Sequence, residues 1–162
     1  MARYAVAGCK ISIGGVLADK DTDFIASDFT SQTWTEINEW ITMGDLGDEA
    51  ADIASQIIGL ARDKHAKGTR NAAQVVNVHN NDPANAGQIA VKAAEQTPFN
   101  YAFKVELNDK PAVGASPKNG LVYFIALVTG ARHIGGGANV NRGLNVTLQP
   151  NSNFVEVAAS AT

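Results

Sequence analysis

The sequence predicts a mainly β fold, with two sheets and one packed α-helix. The clearest signal lies at residues 99–108, where apolar side chains alternate with polar ones as in a strand that buries one face. Residues 121–129 form a nearly uninterrupted apolar run, rich in β-branched and aromatic residues, which indicates a strand buried on both faces or at a subunit contact. Residues 82–97 alone have a convincing helical repeat. Strands therefore outnumber helices in the predicted fold.

Further strands are predicted along the chain from the same two-residue period. They are expected at residues 4–13, 34–43, 74–79, 144–149 and 154–157. Segment 34–43 also has helical features, because Thr33 and Glu36 resemble a capping box. Its β-branched residues and its two tryptophans favour extended structure, and we predict a strand there.

The predicted helix follows the strand at 74–79. Asp82 is a suitable N-cap and Pro83 suits the first helical position. Small and apolar residues then recur at spacings of three and four, up to a stop at Thr97 and Pro98. Because this stripe consists mostly of alanine, we expect the helix to lie close against a sheet.

The polar tracts at residues 19–32, 44–49, 62–70, 108–120 and 130–143 are predicted to be loops. No change in composition along the chain indicates a second domain. We therefore expect a single domain, 1–162, with a long loop or hairpin tract around 42–70 and flexible termini.

The charge balance argues against a protein that binds nucleic acid through its phosphates. The 162 residues carry a formal net charge of -3 at pH 7, whereas phosphate neutralisation needs clustered excess lysine and arginine. A single cysteine excludes an intramolecular disulfide. The longest apolar run is far shorter than the roughly 20 residues of a membrane-spanning helix, and no secretory signal is evident, so we expect synthesis in a cytoplasm and no membrane contact.

Motifs that carry chemistry are incomplete. Asp19, Asp21 and Asp23 resemble the start of a calcium loop, but Phe24 occupies the position of the turn glycine. The glycines at 135–137 are not followed by the lysine and hydroxyl residue of a phosphate-binding loop.

The three histidines also lack partners at metal-ligand spacing. His65, His79 and His133 are far apart, and we expect them at the surface or at strand edges. The sequence therefore predicts no catalytic, cofactor-binding or metal-binding residue, no cofactor, and a protein that is not an enzyme.

Several short motifs lie between residues 34 and 157. No single one is diagnostic of a family, but their order along the chain is. They include Trp34-Thr-Glu-Ile37, the turn 43–49, Lys67-Gly68, the helix start at 82–89, and the strands 99–105, 120–128 and 144–148. In this order they resemble the tail tube proteins, or major tail proteins, of bacteriophages with long non-contractile tails (siphophages).

This resemblance implies a β-sandwich or barrel with one helix. It also implies subunits that close into hexameric rings, and rings that stack into a tail tube whose inner barrel uses strands from all six subunits. The implied partners are further copies of the chain and the tape-measure, tail-tip and tail-terminator proteins. Double-stranded DNA would pass without specific binding, and the protein would reside in the virion tail after synthesis in the bacterial host.

Within such an assembly, opposite charges suggest a contact between copies. Asp45, Asp48 and Glu49 lie at one predicted turn. The following loop contains the basic residues Arg62, Lys64, Lys67 and Arg70. We expect these seven residues at a ring-to-ring or subunit interface.

Two alternative functions are compatible with the same patterns. Tube proteins of type VI secretion systems share the implied fold. A small-ligand-binding β-barrel is the other alternative, in which the aromatic-rich strands at 99–107 and 121–129 would line a cavity.

Overall fold

A computed structural model of the chain describes residues 3–162. These residues form ten strands, one α-helix and a short 3₁₀ helix at Ala26–Phe29. The strands are β1 (Lys10–Val16), β2 (Thr35–Glu36), β3 (Trp40–Thr42), β4 (Asp48–Ser55), β5 (Lys64–Ala72), β6 (Val75–Asn80), β7 (Tyr101–Glu106), β8 (Leu121–Ile134), β9 (Gly143–Pro150) and β10 (Val155–Val157), and the helix is α1 (Ala86–Glu95). The predicted mainly β class, with two sheets and one α-helix, is confirmed. Among the described residues, neither helix has the length and apolar character that crossing a bilayer requires.

Eight of the strands form one antiparallel sheet. Its order is β2-β1-β7-β8-β9-β6-β3, and β10 pairs with the start of β8. The first part of β8 lies between β7 and β10, whereas its second part pairs with β9. The register of β8 against β9 shifts between Val128 and Gly130. Because neighbours change along this 14-residue strand, β8 joins the two halves of the sheet.

The main core is enclosed by this curved sheet. Strands from both ends of the sheet order, β1 and β6 among them, contribute to one cluster of buried side chains. At its centre the rings of Phe103 and Phe124 stack at 5.6 Å, and Phe154 lies 4.9 Å from Phe124. The same cluster includes Val91 and Ala94 of α1, so the helix packs on this face of the sheet.

Strand β8 is also covered on its other face. Ile125 packs with Phe24 and Phe29 in a second buried cluster, and the ring of Phe29 stacks on Tyr123 at 5.1 Å. Of the two explanations for the apolar run at 121–129, burial on both faces is confirmed at Ile125, whereas Leu121, Tyr123 and Leu127 on this second face are partly exposed. A subunit contact at the run stays a prediction.

Helix α1 starts later than predicted. Its N-cap is Asn85, whose side-chain oxygen accepts a hydrogen bond from the backbone N–H of Gln88 at 2.9 Å. The predicted cap, Asp82, instead accepts from the N–H of Ala84 in the preceding turn. The prediction of Asp82 and Pro83 as the helix start was wrong, because two capping side chains lie close together in sequence and only one meets a free helical N–H.

The segment at 34–43 is not one strand, as predicted, but two short ones. Between β2 and β3 the chain turns inward at the buried Ile37, whose N–H donates to the carbonyl oxygen of Ile11. Glu39 then adopts a positive φ of 61°, which interrupts extended structure. The first strand also begins later than predicted, because residues 6–9 form a turn around Gly8, which has a φ of 90°.

Three predicted loops are partly extended, and in the first of them, 44–49, β4 begins at Asp48. Most of 62–70 belongs to β5, and β8 continues into the predicted loop as far as Ile134. β5 is exposed and polar, so it lacks the alternation that reveals a half-buried strand. The prediction of flexible termini includes residues 1 and 2, which lie outside the described residues.

Candidate assembly surface

Strands β4 and β5 form a hairpin that is separate from the main sheet. Within residues 3–162 they pair only with each other, from Asp48 opposite Ala72 to Ser55 opposite Lys64. Apart from the buried Ala72 and the half-buried Asp48 and Gly68, every residue of the two strands is exposed. An isolated two-stranded hairpin without a buried face is marginally stable in water. We therefore expect this hairpin to become stable when it packs against another surface.

The structure brings most of the predicted interface residues into this one hairpin. Asp48 and Glu49 lie on β4, and Lys64, Lys67 and Arg70 lie on β5. The other two predicted residues flank the strands: Asp45 precedes β4, and Arg62 lies in the connecting turn. β4 is thus an acidic strand and β5 a basic one, within the same antiparallel pair.

Sequence reasoning missed one member of this charged surface, the acidic residue Asp52. Asp52, on β4, accepts from His65 Nδ1 at 2.9 Å, and both side chains are exposed. An exposed pair of this kind contributes at most about 1 kcal/mol. Asp52 continues the acidic character of its strand, and this signal was present in the sequence.

Within residues 3–162, none of the seven predicted residues forms an ion pair. In the part of the chain that the structure describes, the ion pairs within 4.0 Å are Lys10–Glu36, Lys20–Asp28 and Asp52–His65. The charges of Lys67 and Arg70 are therefore available to groups outside the subunit.

The connecting end of the hairpin is apolar. Ile58 is fully exposed at 107%, and Ile57 and Leu60 are about half exposed. Ile53, on β4, is exposed as well. Adjacent exposed aliphatic side chains on a projecting element are typical of a contact site. The sequence signal was the tract 57–60, which is apolar within polar surroundings.

Buried polar groups hold the base of the hairpin in place. Asn77, on β6, accepts hydrogen bonds through its side-chain oxygen from Trp40 Nε1 at 3.2 Å and from the Gly44 N–H at 3.0 Å. The neighbouring His79 is fully buried, stacks on Trp40 and donates through Nδ1 to the carbonyl oxygen of Asn38 at 3.0 Å. The prediction of His79 as a surface or strand-edge residue was wrong, because β3 covers the outer side of β6.

Stability is expected to fall as the pH decreases below about 6.5. Burial lowers the pKa of His79, and its hydrogen bond to Asn38 opposes this effect only in part. The unfolded chain therefore takes up a proton first, so the stabilisation is complete above the usual histidine pKa of about 6.5 and is lost progressively below it. Urea midpoints at pH 7.5 and 5.5 measure the loss. His79→Gln should abolish the slope in this window, and the exposed-site control His133→Gln should retain it.

The aromatic strands do not line a ligand cavity. Phe103 and Phe124, which the ligand-binding alternative placed around a ligand, are fully buried and stack on each other. Among residues 3–162, no three histidine, cysteine, aspartate or glutamate side chains are grouped as a metal site would require. Within residues 3–162, the charged hairpin pairs with no other strand, and its connecting end is apolar and exposed.

Comparisons with known proteins show similarity at the level of fold. No family model matches the sequence, and no curated protein matches it. The SPP1 tail tube matches with a TM-score of 0.65 and 12% identity, over 95% of this chain and 80% of the other. The baseplate of the anti-feeding prophage, determined with six-fold symmetry, matches with a TM-score of 0.59 and 11% identity, over 98% of each chain. The resemblance deduced from the motifs is thus confirmed in the fold, and the chain has the fold of the SPP1 tail tube subunit.

Proposed function

We propose that the chain is a structural virion protein that assembles into stacked hexameric rings and forms a phage tail tube through which DNA passes. The observation that carries this proposal is the β4–β5 hairpin, an exposed element that lacks a partner within a subunit of tail tube fold. The six-fold symmetry of the related baseplate assembly supports the hexameric ring. The role is non-enzymatic, and the protein resides in the virion tail after synthesis in the host cytoplasm.

The net charge supports passage of DNA without binding. Six copies, each with a formal charge of -3, give a ring of -18. A field of this sign repels phosphate, so a duplex slides past the wall without adhering to it. A basic lining would retain the duplex through phosphate contacts. The tape-measure, tail-tip and tail-terminator proteins remain proposed partners, by analogy with the tubes that the sequence resembles.

The charged hairpin residues form the proposed interface between copies. Acidic residues 45, 48 and 49 meet basic residues 62, 64, 67 and 70 of another copy. A single exposed pair contributes only about 0–1 kcal/mol, but a closed ring repeats each contact six times. Assembly should therefore be cooperative and sensitive to salt.

Electron microscopy of the purified protein tests the proposed function. In negative stain, we expect rings or tubes with a central hole, which increase with protein concentration and decrease with added salt. Light scattering on the same samples measures the association independently. A protein that stays monomeric at every concentration and salt level would overturn the proposal.

Reversing the acidic charges of the hairpin is expected to shorten the tubes. The double variant Asp48→Lys, Glu49→Lys places like charges against the basic residues of the neighbouring copy, each repulsion being repeated around the ring. Tube length in micrographs is the measurement. Asp19→Lys with Asp21→Lys is a matched control, because it makes the same charge change at exposed residues outside the hairpin. Tubes of normal length from the hairpin variant would refute this interface.

A component of a secretion-type injection tube is the second candidate. The match to the anti-feeding prophage baseplate over 98% of both chains favours it. Long open tubes assembled from this chain alone support the tail tube, whereas rings that never stack support a baseplate component.

A further inference from the structure

We propose that Asn119 is a site of spontaneous deamidation that the folded subunit protects, and that its conversion to aspartate loosens the β7–β8 loop (residues 107–120). The sequence contains one Asn-Gly pair, Asn119-Gly120, at the end of this loop. Asparagine is chemically labile, and a following glycine makes it more so because no side chain hinders the next backbone nitrogen. The contacts that control the reaction all lie within one subunit.

Deamidation is a ring closure between two neighbouring groups. The backbone nitrogen of Gly120 loses its proton and attacks Cγ of Asn119, and the bond from Cγ to Nδ2 breaks. Nδ2 takes up a proton from water and leaves as ammonia, and the product is a cyclic imide. Water then opens the imide to aspartate or isoaspartate. The reaction therefore needs a free N–H at Gly120 and a side-chain amide that can turn towards it.

Asp109 holds the first of these groups. The N–H of Gly120 donates to Asp109 Oδ1 at 2.7 Å, and the carbonyl oxygen of Gly120 accepts from the N–H of Leu107 at 2.9 Å. Gly120 is buried as well. A carboxylate beside the N–H also disfavours loss of its proton, because the resulting anion would face a like charge. The attacking nitrogen is therefore both fixed in place and kept protonated.

The side-chain amide of Asn119 is held at both ends. Its Nδ2 donates to Glu106 Oε1 at 2.7 Å, and its Oδ1 accepts from the backbone N–H of Lys110 at 3.0 Å. Turning the amide towards Gly120 would break both hydrogen bonds. Ring closure therefore requires a local opening of the loop, and its rate depends on how often that opening occurs.

Close packing explains why a glycine follows Asn119. A Cβ at position 120 would lie 2.9 Å from Asp109 Oδ2 and 3.2 Å from Asp109 Oδ1. A side chain there would push the carboxylate away from the N–H that it accepts from. The glycine that lets Asp109 approach thus also makes Asn119 reactive whenever this contact is lost.

Conversion to aspartate would place two carboxylates against each other. The Nδ2 donor that meets Glu106 at 2.7 Å would be replaced by an oxygen, so an attractive contact becomes a contact between like charges. The same loop holds the end of the chain, because Lys118 exchanges two backbone hydrogen bonds with Ser160, at 2.8 and 3.1 Å. Deamidation should therefore loosen both the loop and residues 158–162.

The neighbouring strands offer the added charge little compensation. Lys10, opposite Glu106 on β1, already pairs with Glu36 at 3.8 Å. Lys104, on β7, lies over the ring of Trp34, 5.3 Å from its centroid. Tyr123 on β8 is uncharged at neutral pH, since burial and the charge of Glu106 raise its pKa. Within the loop, Asp109 adds a further negative charge, and Lys110 is exposed.

Mass spectrometry of aged protein tests the protection. The folded chain and the chain in urea are incubated side by side at pH 8, and the converted fraction of Asn119 is followed in peptide digests. We expect conversion to be about a hundredfold slower in the folded chain, because several hydrogen bonds must break first. Equal rates in the two samples would overturn the protection.

Variants of Asp109 show whether its carboxylate is responsible. Asp109→Ala should accelerate deamidation in native buffer about tenfold, because a hydrogen bond to a charged group is lost. Asp109→Asn keeps an oxygen acceptor without the charge, and its rate should lie between those of the parent and Asp109→Ala. The matched control Asp63→Ala removes an exposed carboxylate from the hairpin turn and should leave the rate unchanged. No acceleration in either Asp109 variant would contradict the proposed role of Asp109.

Asn119→Asp reproduces the product and tests its consequence. At pH 8 we expect faster hydrogen exchange than in the parent at residues 107–120 and 158–162. At pH 4.5 the difference should shrink, because the two carboxyl groups can then share a proton. Asn141→Asp is the control, since it adds the same charge at an exposed residue between β8 and β9. Parental exchange at pH 8, or an increase that is the same at both pH values, would overturn the inferred loosening.

Discussion

Gly87→Ala is expected to destabilise the folded protein by about 3 kcal/mol, the upper part of the range for overpacked sites. Gly87 lies in the first turn of α1, where the helix touches the backbone beside β2. A methyl group at this position would lie 2.7 Å from the carbonyl carbon of Glu36 and 2.8 Å from the Cα of Ile37. These atoms belong to the main chain and cannot rotate away, so the helix must move off the sheet.

The direction of the change in stability distinguishes a steric clash from the effect of helix propensity. In an exposed helix, replacing glycine by alanine adds about 1 kcal/mol of stability, so local propensity alone predicts the opposite result. Free energies of unfolding from urea titrations compare the two effects directly. Gly135→Ala is the matched control, because nothing lies within 4 Å of its added methyl group, and its free energy should change little. An unchanged or higher stability of Gly87→Ala would refute the close approach of α1 to this segment.

Removing the hairpin is expected to abolish assembly while leaving the subunit folded. Residues 49–71 can be replaced by Asn-Gly, because Asp48 and Ala72 are directly opposite and this dipeptide forms a two-residue turn. The removed residues are nearly all exposed, so the free energy of unfolding should change by no more than about 0.5 kcal/mol. Negative-stain images should then show no rings or tubes at concentrations where the full chain forms them.

A second shortened variant controls for the loss of a projecting element. Replacing residues 135–142 by Asn-Gly joins Ile134 to Gly143, which are also directly opposite in the sheet. This variant removes an exposed loop outside the hairpin and should still assemble. Normal rings from the variant without the hairpin would show that assembly uses another surface.

The sequence predicted a strand well where the strand buries one face and poorly where it is exposed on both. β7 and β9 have one buried face, so their apolar residues alternate and their positions were predicted to within two residues. β5 buries almost nothing, and only its pairing with β4 makes it a strand. The charged residues predicted at an interface were recognised by type, but their position on one hairpin depended on that pairing.

Other differences arose where neighbours in space decide between local alternatives. Asp82 and Asn85 both suit a helix cap, and the fold uses Asn85 because its oxygen reaches the N–H of Gln88. His79 occupies a polar-looking position in its strand, yet the covering strand β3 and the ring of Trp40 bury it. Neither choice follows from residue order alone.

The sequence by itself determined the mainly β class, the presence of one helix, the acidic net charge and the order of motifs that resembles a tail tube. The tertiary structure alone decided that Phe24 and Phe29 bury Ile125 of β8, that Gly87 touches a neighbouring backbone, and that an acidic and a basic strand form an exposed hairpin. The physical reason is that periodicity records burial along a single strand or helix. Contacts between distant segments, and edges left without a partner, exist only once the chain has folded.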